Sequence, residues 1–342
     1  MLKNKKFYIL IIILIIAGII FFLIPILLDG KTFYNSNVAE LNNEKVINTV
    51  PVIPPLDKVA YDAKLLTLAN NPPPPQPITK VVKDEKTGVE TTVTIPAKIL
   101  PPNIWPAKTV YSKDGALVPF NRIGAYYGNL YSNKMGALGK DPEDIMLAKL
   151  DIEVKKWEEA DPNTPVIPAL HYIVVVAQGS AGADGKYRAR MPYSEIDKVI
   201  KMAEKINAIV FLDFQVGFST IDKELTIYEK YFKMPNVHLG IDPEFSMKEI
   251  IRPGKVVGTF DAEDINFSAN YLAKIVQENN LSPKILVVHR YTQKMVTNYQ
   301  FITSLPEVQI VMHMDGWGPK AKKIDTYKQF IYREPVQFTG FK

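Results

Sequence analysis

Asn236-Val237-His238-Leu239-Gly240-Ile241-Asp242-Pro243-Glu244-Phe245 is a short apolar, β-prone run that stops at two acids separated by a proline. A buried strand ends this way when it delivers carboxylates to a rim, because a core offers no partner for the charge. Three other runs break from apolar into polar residues in the same manner: Ile209-Val210-Phe211-Leu212-Asp213-Phe214-Gln215, Ile285-Leu286-Val287-Val288-His289-Arg290 and Ile310-Val311-Met312-His313-Met314-Asp315-Gly316-Trp317.

Outward from these runs, strand and helix patterns alternate. Arg122–Gly128 reads as a first strand, and a helix follows from Asp141, with Pro142 in its first turn, to about Ala160. Pro165–Val176 is a second strand region. The next helix starts near Ser194, with Asp197 in the capping-box position and Ile196, Val199, Ile200, Ala203 and Ile206 at helical spacing. Helices are also expected at Ile221–Tyr228, Asp261–Asn279, Gln293–Thr303 and Ala321–Phe330. The strands are continuously apolar, which argues for a parallel sheet covered by helices. Neither Gly-x-Gly-x-x-Gly nor Gly-x-x-x-x-Gly-Lys occurs, and polar endings recur on strand after strand. The expected fold is therefore α/β, a (β/α)8 TIM-barrel-like domain over residues 119–342 with side chains converging at the C-terminal ends of its strands. Six or seven strands precede Lys342, and the run Val336–Phe341 stops in mid-strand, so a truncated C-terminus is expected.

The N-terminal part has a different character. Lys3, Lys5 and Lys6 precede an apolar run from Phe7 to Leu28, long enough to cross a hydrocarbon core of about 30 Å and lacking an Ala-x-Ala cleavage site. Residues 1–29 read as a cytoplasmic lysine cluster and an uncleaved signal anchor. By the positive-inside bias the protein is a single-pass cell-membrane protein with its C-terminal domain extracytoplasmic. Residues 30–118 are rich in proline and read as an extracytoplasmic spacer. Within it, Thr79–Asp84 and Val89–Ile95 flank Glu85-Lys86-Thr87-Gly88 as a β-hairpin expected to lean on the main domain. There is no cysteine, which excludes thiol nucleophiles, disulfides, cysteine metal sites and a lipid-modified cysteine anchor. The net charge of +5 is modest and the lysines are scattered, so nucleic acid is not an expected partner.

The chemistry is expected at the strand ends. Asp242 and Glu244 lie two residues apart, which places both on one side of an extended chain. A carboxyl among apolar neighbours has a raised pKa and acts as a general acid, while a better-solvated one stays ionised. Asp213, between aromatics, and Asp315, two residues after His313, complete the catalytic candidates. Tyr127, His171, Gln178, Gln215, His289, His313 and Trp317 are expected to contact substrate. Asp261 and Glu263 are weaker candidates, because acids in a helix's first turn are favoured for capping alone. Carboxylates among aromatic platforms suit glycoside hydrolysis. No His-x-His or His-Glu-x-x-His spacing occurs, so neither a metal nor another cofactor is expected.

The pieces Ala125-Tyr126-Tyr127-Gly128, Gly136-Ala137-Leu138-Gly139, Val176-Ala177-Gln178, Phe211–Gln215, Leu239–Phe245, Gly258–Glu263, Val287-Val288-His289 and Asp315-Gly316-Trp317-Gly318 occur in that order over the C-terminal two thirds. Through them the chain resembles a family of uncharacterised secreted or membrane-anchored bacterial proteins with a TIM-barrel-like, glycoside hydrolase-like domain. The resemblance implies a fold, a location and a C-terminus that continues past Lys342, without implying an established reaction. The functional expectation is a membrane-tethered enzyme acting on envelope or extracellular polysaccharide, with Glu244 as general acid. The alternatives are a non-catalytic carbohydrate-binding or cell-wall structural protein, or a metal-dependent deacetylase or esterase. The last requires three of His171, His289, His313, Asp213 and Asp242 to converge on one point.

Overall fold

Residues 53–97, 102–248 and 251–342 are described by the computed structural model. The expected signal anchor lies outside the described residues, among which no helix is long and apolar enough to cross a membrane.

Ile53–Lys342 forms one compact unit. It opens with α1 (Lys58–Ala69) and the hairpin β1 (Ile78–Lys83) and β2 (Glu90–Ile95), followed by β3 (Arg122–Gly128), α2 (Glu143–Ala160), β4 (Val166–Ala177) and β5 (Arg188–Arg190). Next come α3 (Tyr193–Glu204), β6 (Ile209–Phe214), α4 (Ile221–Ile227), α5 (Glu229–Phe232), β7 (Val237–Ile241), β8 (Phe260–Asp261) and α6 (Ala262–Glu278). The chain continues through β9 (Lys284–His289), β10 (Val296–Thr297), β11 (Val308–Met314), α7 (Lys320–Thr326), which runs into a π-helical turn at Tyr327–Tyr332, and β12 (Phe338–Phe341).

Seven parallel strands pair in the order β3-β4-β6-β7-β9-β11-β12, each beside the next in this sequence, and β5 adds an antiparallel edge to β4. The sheet is curled, since one cavity of about 620 Å³ touches both edge strands β3 and β12. Its two faces explain the continuous apolar runs. Outward residues such as Leu170, Val210, Leu239 and Leu286 pack with the helices in the main core. Inward residues Ala169, Phe211, Ile285 and Val287 form a second, smaller cluster inside the curl. α3 buries Ile196, Val199, Ile200 and Ala203 on one face, each large aliphatic contributing roughly 1.5–3 kcal/mol on burial.

Local expectations fail at four places, each for a visible reason. The expected Pro-rich spacer contains α1, capped by Asp57, whose carboxylate accepts from the Ala60 amide, and ended by Asn70 in the left-handed region. Its Tyr61 is buried edge-on against Tyr111 and Phe120, so this segment joins the folded unit. The hairpin forms with the expected turn, but every residue of both strands is exposed, so it does not lean on the domain. Asp197 caps nothing: α3 starts after Pro192, and Asp197 accepts from Tyr231 Oη at 2.7 Å instead. The expected Gln293–Thr303 helix is two 3₁₀ turns around β10. The fully buried Arg290 guanidinium takes the carbonyls of Gln293 and Val296 that a helix would use for its own ladder, and Asn298 has a left-handed φ of 57°.

Candidate functional site

The inward residues of β3, β4, β6 and β9 meet at the C-terminal half of the curl. Asp213 on β6 is fully buried, and its Oδ2 receives His171 Nε2 from β4 at 2.7 Å and His289 Nε2 from β9 at 2.8 Å. Opposite Asp213 in the parallel register stands Gly240 of β7. A Cβ at Gly240 would lie 2.5 Å from His171 Nε2 and closer still to Asp213 Oδ2, so the bare backbone makes the room for this pair. A glycine inside an otherwise apolar strand is the sequence signal for such a close approach.

Protonation follows from these contacts. Burial opposes ionisation of Asp213, but the His289 charge and the two histidine hydrogen bonds outweigh it and hold the carboxyl well below its ordinary range. An ionised carboxylate only accepts, so both Nε2 atoms donate. Burial likewise opposes a charge on His289, yet Asp213, Asp315 and Asp242 outweigh it and raise its pKa to about 9. His171 is pushed down by burial against the pull of Asp213, so it is the neutral Nε2–H tautomer. His289 Nδ1 faces Asp315 Oδ2 at 3.5 Å. His313, whose ring meets His289 edge-on with centroids 5.2 Å apart, is driven well below its ordinary pKa by burial.

The remaining carboxyls lie at the strand ends. Asp242 ends β7 and caps the 3₁₀ turn Pro243–Phe245, its Oδ1 accepting from the Glu244 amide at 3.0 Å. Its Oδ2 is approached by Gln215 Nε2 at 3.4 Å, which also reaches Tyr127 Oη at 3.3 Å. Gln215 is held by the Ala177 amide, which donates to its Oε1. Burial raises the Asp242 carboxyl well above its ordinary pKa, and Asp315 adds to the shift against His289. Burial also raises Glu244, opposed by a hydrogen bond with Tyr291, and raises Asp315. Tyr127 lies edge-on to both His171 and His289, with centroids 5.1 and 5.6 Å away.

Among the residues expected at a site, Glu244, Asp242, Asp213, Asp315, Tyr127, His171, Gln215, His289 and His313 are therefore brought together. Gln178 lies between β4 and β5, its side chain donating back to the Val176 carbonyl at 3.4 Å. Asp261 and Glu263 are elsewhere: Asp261 caps α6 in a capping box and also accepts from Thr297 and Asn298, and Glu263 is exposed. Trp317 is 82% exposed and covers nothing. Tyr291, one of the aromatics expected near the strand ends, hydrogen-bonds Glu244, and Gly240, of which no role was expected, also belongs to the arrangement. The cavity is lined by Tyr127, His171, His289 and His313 at its polar end, whereas Asp242, Glu244 and Asp315 lie outside its wall.

No protein-family model matches the chain, and no curated protein matches it significantly.

Proposed function

We propose that the protein is a glycoside hydrolase-like enzyme on a (β/α)8-type barrel, acting on envelope or extracellular polysaccharide from a membrane-tethered, extracytoplasmic position. The seven parallel strands, ordered in one direction and curled, support the barrel. The observation that carries the chemistry is the gathering, at one rim, of carboxyls whose pKa values burial raises, Glu244, Asp242 and Asp315, around a His289 that the ionised Asp213 keeps charged. Burial raises Asp242 and Glu244, while the charge of His289 and its hydrogen bond hold Asp213 ionised. Environments that push like groups apart in this way separate acid from base roles.

Glu244 is the general acid. It is half-buried, so a glycosidic oxygen can reach it, and Tyr291 orients its carboxyl. Asp315, whose Oδ2 faces the cationic His289 at 3.5 Å so that the charge favours its ionised form against burial, is the second carboxylate, and Asp213 keeps His289 charged. The experiment is reducing-end release from cell-wall and exopolysaccharide fragments by the full chain and by Glu244→Gln. Removing a general acid slows hydrolysis by roughly 10²–10⁴-fold. Equal rates in the two proteins refute the acid, and binding without cleavage by the unaltered chain favours a carbohydrate-binding protein.

A further inference from the structure

We propose that His171, Asp213 and His289 form a binding site for one divalent transition-metal ion, reached from the cavity inside the curled sheet. One ligand-type atom from each, the two Nε2 atoms and a carboxylate oxygen, all lie within 4.8 Å of one another. They are carried by β4, β6 and β9 of a single sheet, so their backbones are fixed relative to each other. Two imidazoles with one carboxylate suit zinc, iron, cobalt or manganese and not the oxygen-only preference of calcium or magnesium.

Two further observations point to a ligand. Asp213 Oδ1 is buried with no hydrogen-bond partner, so the carboxylate that accepts from both histidines through Oδ2 keeps a second oxygen with none. His171 and His289 also line the cavity wall, giving an ion a route to donors that are otherwise enclosed. A tetrahedral ion with ligands at about 2.0–2.1 Å needs those ligands about 3.3 Å apart. The Nε2–Oδ2 distances of 2.7 and 2.8 Å must therefore open by roughly half an ångström as the ion enters. As the ion binds, cationic His289 releases its Nε2 proton to solvent and keeps the Nδ1 proton that faces Asp315, while neutral His171 exchanges its Nε2 proton for one on Nδ1, so each ring ligates as a neutral imidazole and no oxidation or reduction is involved.

The inference does not rest on the glycan reading. The test uses the full chain in detergent, stripped with a chelator, dialysed against Zn²⁺ or Co²⁺ and analysed for metal content. One ion per chain is expected, with the visible absorption of low-coordinate Co²⁺. Asp213→Asn and His171→Ala should each weaken uptake at least about 100-fold. X-ray absorption on the unaltered chain loaded with Zn²⁺ keeps the result decisive should a variant misfold: two imidazoles and an oxygen are expected. No ion retained at 100-micromolar-range Zn²⁺, a shell without imidazole, or unchanged uptake in a folded Asp213→Asn variant overturns the proposal.

Discussion

Gly240→Ala is the sharpest structural test, because one methyl group meets the buried network. The added Cβ would stand 2.5 Å from His171 Nε2, where ordinary contact begins at 3.4 Å, so the imidazole must retreat by about 0.9 Å. Asp213 must retreat further, and it is fully buried with neighbours on every side. The retreat breaks at least one of the hydrogen bonds to the Asp213 carboxylate, at about 1.5–3 kcal/mol for a charged bond. Overpacking adds about 1–3 kcal/mol. A loss of about 3–5 kcal/mol is expected, read as a lower urea midpoint and a fall in melting temperature of about 6–10 °C for a unit of this size. Gly179→Ala is the control, since a Cβ there meets nothing within 4 Å and the residue is exposed. A Gly240→Ala protein within 1 kcal/mol of the unaltered chain would refute the claim that this glycine makes the room for the network.

Three further outcomes follow from the same contacts. The Asp242 carboxyl has its folded pKa above its unfolded value, so its ionisation costs stability: the contribution is intact below about pH 4 and is lost as pH rises through the folded pKa. Asp242→Asn should therefore gain stability relative to the unaltered chain as pH rises from 4 to 8, measured by urea midpoints across that range; a constant offset contradicts the buried, raised carboxyl. Arg290 donates to the carbonyls of Thr292, Gln293, Val296 and Phe330 and pairs with Glu334, so Arg290→Lys, which cannot span them, should cost about 3–5 kcal/mol in chemical denaturation. Glu224 on α4 is buried between Arg188 and Arg190 of β5 at 2.7–3.0 Å. Glu224→Gln should loosen the β4–β5 segment, raising amide exchange at Gln178 and Met191 about 30-fold or more, the equivalent of a 2 kcal/mol loss.

The alternation of strand and helix was legible because strands buried on both faces read as unbroken apolar runs. β6 and β7 lie within the expected stretches, and β9 and β11 overlap theirs but begin one and two residues earlier, at Lys284 and Val308. Their polar ends marked where side chains gather, since period-two alternation sends Asp213 and His289 inward together with His171. Orientation was not legible at the loops: Trp317 follows Asp315 by two residues yet points to solvent, because beyond the strand its direction is set by the turn at Gly316 and Gly318. That His171, Asp213 and His289 could converge was legible; that both Nε2 atoms meet the same Asp213 oxygen, across strands 42 and 76 residues away, is a property of the register. α1 was masked by the prolines on either side of it, Pro54-Pro55 and Pro72–Pro75, although Asp57 and Asn70 supplied both of its caps. The Gln293–Thr303 stretch had helical spacing, and a single buried arginine diverted its carbonyls.

The central claim, that Glu244 donates a proton to a glycosidic oxygen, is tested most directly by varying the leaving group. Using the sugar released from the polysaccharide, matched aryl glycosides with good and poor leaving groups are compared for the full chain and Glu244→Gln. A leaving group that departs unaided needs no acid, so the variant should keep near-normal turnover on the dinitrophenyl glycoside and lose about 10²-fold or more on the unactivated one. Equal losses on both, or none on either, would contradict the assignment.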